Sequence, residues 1–135
     1  ITVENTKITL NDIEHRILRP IWRDHRIHFV LNCASLGCPN LSQTALTSKN
    51  IEEQMSTAER LFLNDPRGVK IVGEELILSS LFDWYRDDFA NSEKELISYI
   101  ASKNRIVSEI QNPSEYRIEY RYDWGLNSWI KDGKR

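Results

Sequence analysis

Leucine and isoleucine recur at helical spacing near the start of the chain, at Leu10, Ile13 and Ile17. This spacing predicts an amphipathic helix whose apolar face packs into the core. Thr9, with an aspartate three residues later, predicts a capping box at the start of the helix. Pro20 disfavours the helical conformation of the residue before it, so the helix is expected to end there.

A continuous apolar run follows at 27–31, with the sequence Ile-His-Phe-Val-Leu. Its length and its β-branched and aromatic residues predict a strand buried on both faces, with His28 pointing inward. We expect this strand to be central and the first helix to pack on it. The residues after it are small and include a glycine and a proline, which is typical of a turn. Cys33 and Cys38 both lie on this predicted loop.

The rest of the chain alternates between helical and strand patterns. In chain order, the predicted elements are a helix from 47 or 48 to about 63, a hairpin of 69–72 and 75–78 joined through Gly73, a helix over 80–90 with a broad aromatic core face, a helix capped by Ser92 and Glu95, a helix over 105–110, and a half-exposed strand over 116–122, expected to be antiparallel and near a sheet edge. Together they predict an α+β fold with a small mixed or antiparallel sheet and several short helices. We expect a single domain over 1–130 and a disordered tail at 131–135.

Composition excludes some classes of function. The chain has 135 residues, with 18 basic and 20 acidic side chains that give a formal charge of −2. No basic stripe is present to neutralise phosphates, so we expect no specific binding to nucleic acid. No apolar run approaches the roughly 18 residues that a membrane span requires, so no membrane span is expected. No phosphate loop, dinucleotide motif or standard metal motif is present, and no cofactor is expected.

The two cysteines leave four interpretations open. They could be structural thiols, a disulfide, a reactive thiol or part of a metal site. One bridge would suit an exported protein, and two thiols would suit a cytosolic one. Of the two locations we favour the exported one.

A histidine next to one of the cysteines would activate its thiol as a nucleophile. His15 shares a helix face with Asp12 and Arg19, and either neighbour could orient its ring, although a solvated charged face is the simpler interpretation. His28 and Cys33 are separated by about 16 Å of extended chain and face opposite ways, so they cannot pair within a straight strand. Either the loop must fold back towards His28, or the first helix must bring its histidine to the loop.

Five motifs carry a resemblance to a known family. In chain order they are TLNDIEHRILRP, RIHFVLNCASLGCPNL, FLNDPRGV, LFDWYRDDF and YRYDWGLN. Together, from about Ile8 to Asn127, they resemble the domain of unknown function 547 family of bacteria and plants. The family's preceding Trp-Ile-Asn and Tyr-Asn-Ala elements have no counterpart, so we expect the C-terminal majority of the domain. The resemblance names no activity, and the polar positions that it implies are Glu14, His15, Arg19, His28, Cys33, Cys38, Asp88, Asp123 and Asn127.

Three functions fit these residues. The first is a thiol-dependent hydrolase or acyl-transfer enzyme, in which Cys33, or else Cys38, is the nucleophile and a histidine is the base. Its other expected site residues are the bases His15 and His28, the orienting groups Glu14, Asp123 or Asn127, and the substrate-binding residues Arg19, Asn127 and Trp124. The second is a non-catalytic protein-interaction or ligand-binding module, for a small molecule or a peptide. The third, a zinc site using both cysteines, His15 and His28, fits no standard zinc spacing.

Overall fold

Short helices pack around a three-stranded sheet in the computed structural model, which describes residues 2–110, 112 and 115–128. The strands are β1 (Thr2–Val3), β2 (Thr6–Lys7), β3 (Val69–Val72), β4 (Glu75–Ser79) and β5 (Arg117–Arg121). The α-helices are α1 (Leu10–Asp12), α2 (Ile51–Leu63), α3 (Leu81–Trp84), α4 (Arg86–Phe89), α5 (Glu93–Ala101) and α6 (Arg105–Ser108), and a π-helix (Ile13–Trp22) and a 3₁₀ helix (His25–Phe29) lie between α1 and α2. The predicted α+β class is confirmed.

The main sheet has the strand order β3-β4-β5. The predicted hairpin is confirmed: β3 and β4 are antiparallel, and Gly73 turns between them with a φ of 59°. Such positive φ values favour glycine, which has no Cβ. β5 lies at the edge of the sheet as predicted, but it runs parallel to β4, so the antiparallel prediction is wrong. Four helices, α3 to α6, separate the two strands, and a parallel pair requires such a long crossover.

The first helix begins as predicted and ends later. Thr9 and Asp12 form the capping box, with the Thr9 side chain accepting the Asp12 N–H at 3.0 Å. Pro20 does not end the helix but lies inside the π-helix, which closes at Arg23 in the left-handed conformation. The wider π turn accommodates the proline ring and its missing N–H. The predicted core face is also too generous, because Leu10 is 76% exposed and no residue of the π-helix is fully buried.

The predicted central strand at 27–31 is wrong. Residues 27–29 form the buried end of a 3₁₀ helix, His25–Phe29, and residues 30 and 31 follow it. Asp24 caps its first turn with a side-chain carboxylate. The N–H groups of Val30 and Leu31 both donate to the Ile27 carbonyl at 3.1 Å, so the backbone is satisfied locally and needs no neighbouring strand. Periodicity cannot separate a fully buried strand from a short buried helix, and this ambiguity explains the error.

The hydrophobic core lies between the 3₁₀ helix, α2 and the main sheet. Its fully buried side chains are Phe29, Leu63, Leu76, Leu78, Phe82, Leu96, Ile100 and Val107. The predicted helix over 80–90 is divided at Tyr85 into α3 and α4, and Trp84 is 46% exposed instead of filling the core. Within the described residues, no helix is both long and apolar enough to cross a membrane. The predicted disordered tail, 131–135, lies outside the described residues.

Candidate functional site

The cysteine loop is held in place by a segment near the end of the described chain. Leu36 N–H donates to the Gly125 carbonyl at 2.7 Å, and Gly37 N–H donates to the Asp123 carbonyl at 2.8 Å. A Cβ on Gly37 would lie 2.8 Å from the Asp123 backbone nitrogen, so this close approach requires a glycine. The backbone of the loop is therefore fixed by residues about 90 positions away in the sequence.

Cys33 is exposed and sits within a small hydroxyl network. Its sulfur is 3.2 Å from the Ser35 hydroxyl oxygen and 3.0 Å from the Tyr122 hydroxyl oxygen. The two oxygens lie 2.7 Å apart. Both hydroxyls can donate a hydrogen bond, so they can stabilise a thiolate at this position.

Cys38 is buried directly behind Cys33, and both are free cysteines. The Cys33 N–H donates to the Cys38 sulfur at 2.9 Å. The Cys38 thiol in turn contacts the Leu31 carbonyl oxygen at 3.6 Å. The two thiols therefore share one loop but occupy different environments, one open to solvent and one enclosed.

These environments move the two pKa values in opposite directions. Burial raises the pKa of Cys33, but hydrogen bonds from Cys38, Ser35 and Tyr122 outweigh it and lower that pKa to about 7. Burial, together with the neighbouring Cys33, raises the pKa of Cys38 to about 11. Near neutral pH, Cys33 is thus the thiol with substantial thiolate character.

The first and third histidines of the chain belong to a separate polar cluster. His28 is buried, as predicted, and its Nε2 donates to Asp88 at 2.7 Å. Arg19 Nε donates to the same carboxylate oxygen at 2.6 Å. Arg19 Nη1 also donates to His15 Nδ1 at 3.1 Å, which places the proton of the neutral His15 ring on Nε2. Burial lowers the pKa of His28, so its ring is neutral at neutral pH.

Tyr85 packs against this cluster. Its ring stacks on His28 with centroids 4.0 Å apart and lies 6.2 Å from the His15 ring. Burial, then the Glu14 carboxylate, raises the pKa of Tyr85 to about 12, and the negative charge of Cys33 adds to the rise. The Tyr85 hydroxyl is therefore protonated at neutral pH, and its ring packs against both histidines.

The structure does not pair a cysteine with a histidine among the described residues. In the described part of the chain, no imidazole hydrogen-bonds either sulfur. The Asp123 side chain accepts the Gly125 N–H at 2.8 Å, and Asn127 N–H donates to the Ala34 carbonyl at 2.8 Å, so both residues support the loop. Over residues 2–110, 112 and 115–128, no three His, Cys, Asp or Glu side chains are placed to hold a metal ion.

Sequence reasoning missed Ser35, Tyr85 and Tyr122. Tyr122 is the last aromatic residue of the alternating pattern at 116–122, and that pattern predicts only a half-exposed strand. Its contact with Cys33 joins residues 89 positions apart, which no local pattern can report. Ser35 could have been found, because a hydroxyl two residues from a cysteine on a tight turn is within local hydrogen-bonding reach.

An exposed aromatic group borders Cys33. The rings of Trp84, Tyr122 and Trp124 lie within 4.7 to 5.4 Å of one another, centroid to centroid. Trp124 is 71% exposed. We call these three residues the aromatic trio. They form an open apolar surface that meets Cys33 at the Tyr122 hydroxyl, and exposed patches of this kind often contact ligands.

The comparisons with known proteins bear on the first part of the chain. The sequence model of the family described as "Protein of unknown function, DUF547" matches residues 1–63. The match includes all three histidines and both cysteines, and the last three motifs lie largely or wholly beyond it. No curated protein and no solved structure matches the chain. Over residues 1–63 the chain is therefore similar to the DUF547 family, as its motifs predicted.

Proposed function

We propose that the protein is a thiol-dependent hydrolase or acyl-transfer enzyme whose nucleophile is Cys33. The observation that carries this proposal is an exposed sulfur in contact with two hydroxyl groups. With a pKa of about 7, much of this thiol is ionised at neutral pH before any base acts on it. The nucleophile therefore needs no histidine in contact with its sulfur.

In the proposed reaction the Cys33 thiolate attacks an acyl carbon and forms a thioester, while the leaving group departs and takes a proton from water. Water or a second nucleophile then attacks the thioester and restores the thiol. His15 is the proposed base for this second step once Arg19 releases its Nδ1, because Arg19 occupies that nitrogen in the structure and Nε2 carries the proton. In this proposal Glu14 and His28 hold Tyr85, and Asp123 positions the loop.

The proposed substrate approaches across the aromatic trio. Trp124 offers an exposed apolar face against the Tyr122 ring, whose hydroxyl contacts the sulfur, and this face suits the acyl chain of a small molecule or the side chain of a peptide. Asn127 is exposed at the far end of the same segment and could donate to a substrate carbonyl. Arg19 already donates hydrogen bonds to Asp88 and His15. Its proposed contribution to substrate binding is therefore its positive charge and not a further hydrogen bond.

Acylation by an activated ester tests this function. The native protein, treated with p-nitrophenyl acetate near neutral pH, is expected to gain one acetyl group on Cys33, detected by intact mass and peptide mapping. Cys33→Ser should abolish this modification, and Cys38→Ser should retain it at a lower rate. Equal acetylation of the wild type and Cys33→Ser, spread over lysines, would sink the proposal.

A non-catalytic binding module is the second candidate, and the aromatic trio favours it. Two of its members are large side chains with 46% and 71% exposure, a combination that is costly unless a partner covers it. Under this interpretation Cys33 is not acylated, and Trp124→Ala removes ligand binding without any change at the thiol.

A further inference from the structure

Cys38 has no role in acyl transfer beyond lowering the pKa of its neighbour, yet it is buried within contact of the Cys33 backbone. We propose that Cys33 and Cys38 form a dithiol–disulfide exchange site, in which Cys33 attacks a substrate disulfide and Cys38 resolves the mixed disulfide. The proposal shares the reactive Cys33 with the proposed function but does not require acyl transfer.

The first support is the position of the second sulfur. The Cys38 sulfur lies 2.9 Å from the Cys33 backbone nitrogen, which is only three bonds from the Cys33 sulfur. Rotation about the Cα–Cβ bond of Cys33 therefore brings the two sulfurs towards bonding distance without unfolding the loop. Backbone hydrogen bonds to Asp123 and Gly125 fix the loop between the two cysteines, so the positions of their backbones relative to each other are held constant.

The second support is the asymmetry of the pair. Cys33 is exposed, so it can reach an external disulfide, whereas Cys38 is buried and can reach only Cys33. An attacking thiol is most effective when its pKa is near the ambient pH, as it is for Cys33 at about 7. The more basic Cys38, with a pKa of about 11, is the stronger intrinsic nucleophile once its proton leaves.

The chemistry balances with a disulfide as the oxidant. The Cys33 thiolate attacks one sulfur of the substrate disulfide, which forms a mixed disulfide and releases the first thiolate. The Cys38 thiol then loses its proton to the released thiolate and attacks the Cys33 sulfur. This step forms the Cys33–Cys38 bond and expels the second substrate thiolate, which takes a proton from water. The protein loses two electrons and two protons, and the substrate disulfide becomes two thiols.

One molar equivalent of dithiodipyridine, added to the reduced protein at neutral pH, tests the proposal. The wild type is expected to release two thiopyridones per chain, measured by absorbance, and to lose two hydrogens in intact mass. Cys38→Ser should release only one and keep a pyridyl group on Cys33. A stable pyridyl adduct on the wild type would overturn the proposal, and this reading needs no variant to fold.

Two kinds of disulfide donor, a small molecule and a protein, show which class of disulfide the site accepts. Reduced protein is incubated with glutathione disulfide or with insulin, and the Cys33–Cys38 bond is sought by peptide mapping without reduction. The proposal requires that at least one donor oxidises the pair, and the faster one identifies small-molecule or protein disulfides as the substrate class. Oxidation by neither overturns it. Because none of these assays uses an ester, they can fail while acetylation of Cys33 succeeds, and the reverse.

Discussion

Iodoacetamide at pH 6 is expected to alkylate the native, reduced protein at Cys33 and to leave Cys38 unmodified. At this pH a thiol of pKa about 7 is about one-tenth thiolate, whereas a thiol of pKa about 11 is about one part in 10⁵ thiolate. Burial of Cys38 adds a barrier of access. The expected selectivity is therefore at least about a hundredfold, even after allowing for the lower nucleophilicity of the less basic thiolate.

Peptide mapping after partial reaction measures this selectivity. The matched control is the same protein unfolded in denaturant, where both cysteines have ordinary pKa values and should be modified at similar rates. Against an ordinary thiol of pKa about 8.5, native Cys33 should react about five to ten times faster at pH 6. Modification of both cysteines at one rate in the native protein would contradict the asymmetry on which both proposals rest.

Replacing Glu59 by Ala is expected to cost about 1 to 3 kcal/mol of the free energy of unfolding. The Glu59 side chain is 5% exposed and accepts from Tyr99 at 2.8 Å, with His25 Nε2 at 3.0 Å and Lys103 Nζ at 3.3 Å. Its removal leaves the half-buried Tyr99 and His25 side chains without their acceptor, whereas Lys103 is 44% exposed and can turn to water. Chemical denaturation measures the loss.

The pH dependence of stability gives a second readout of Glu59. Burial raises its pKa, but hydrogen bonds from His25, Tyr99 and Lys103 outweigh burial and lower it below the ordinary value. A carboxyl with a lowered folded pKa stabilises the protein above the unfolded value of about 4.3, and this stability is lost as the pH falls through the folded value. Wild type and Glu59→Ala should therefore converge in acid.

Glu53→Ala is the matched control for this prediction. Glu53 lies exposed on the same helix, so its removal should change the unfolding free energy by less than about 0.5 kcal/mol. A loss below about 1 kcal/mol for Glu59→Ala would mean that its partners find water or other acceptors, and that the buried network is not a major source of stability.

The sequence predicted the elements that have local signatures. The capping box at Thr9, the hairpin through Gly73 and the helix after Ser92 each depend on residues within a few positions of one another, and all three are confirmed. The predictions failed where distant packing decided the outcome. The apolar run at 27–31 is buried by its surroundings and not by a neighbouring strand, and the direction of β5 depends on the four helices between β4 and β5.

The site followed the same rule. The cysteine loop and the inward His28 were predicted, because turn chemistry and burial are local properties. The partners of the Cys33 sulfur were not predicted, since Tyr122 lies 89 positions further along the chain. An imidazole at the sulfur required either the loop to fold back towards His28 or the first helix to bring His15 to the loop. Instead His28 bonds Asp88 and His15 bonds Arg19.

Titration of the Cys33 thiolate by its ultraviolet absorbance tests the central claim, that the Ser35 and Tyr122 hydroxyls and the Cys38 thiol, and no histidine, lower the pKa of Cys33. The wild type is predicted to titrate with a midpoint of about 7. Tyr122→Phe should raise the midpoint by about one to two units, the equivalent of one hydrogen bond to a charged group.

Two matched variants complete the measurement. Tyr120→Phe removes a hydroxyl from the same stretch of chain that bonds Arg86 at 2.9 Å and not the sulfur, so it should leave the midpoint unchanged. His15→Ala should also leave it unchanged. A wild-type midpoint of about 8.5 or higher, as for an ordinary thiol, or a midpoint that rises in His15→Ala and stays constant in Tyr122→Phe, would contradict the account.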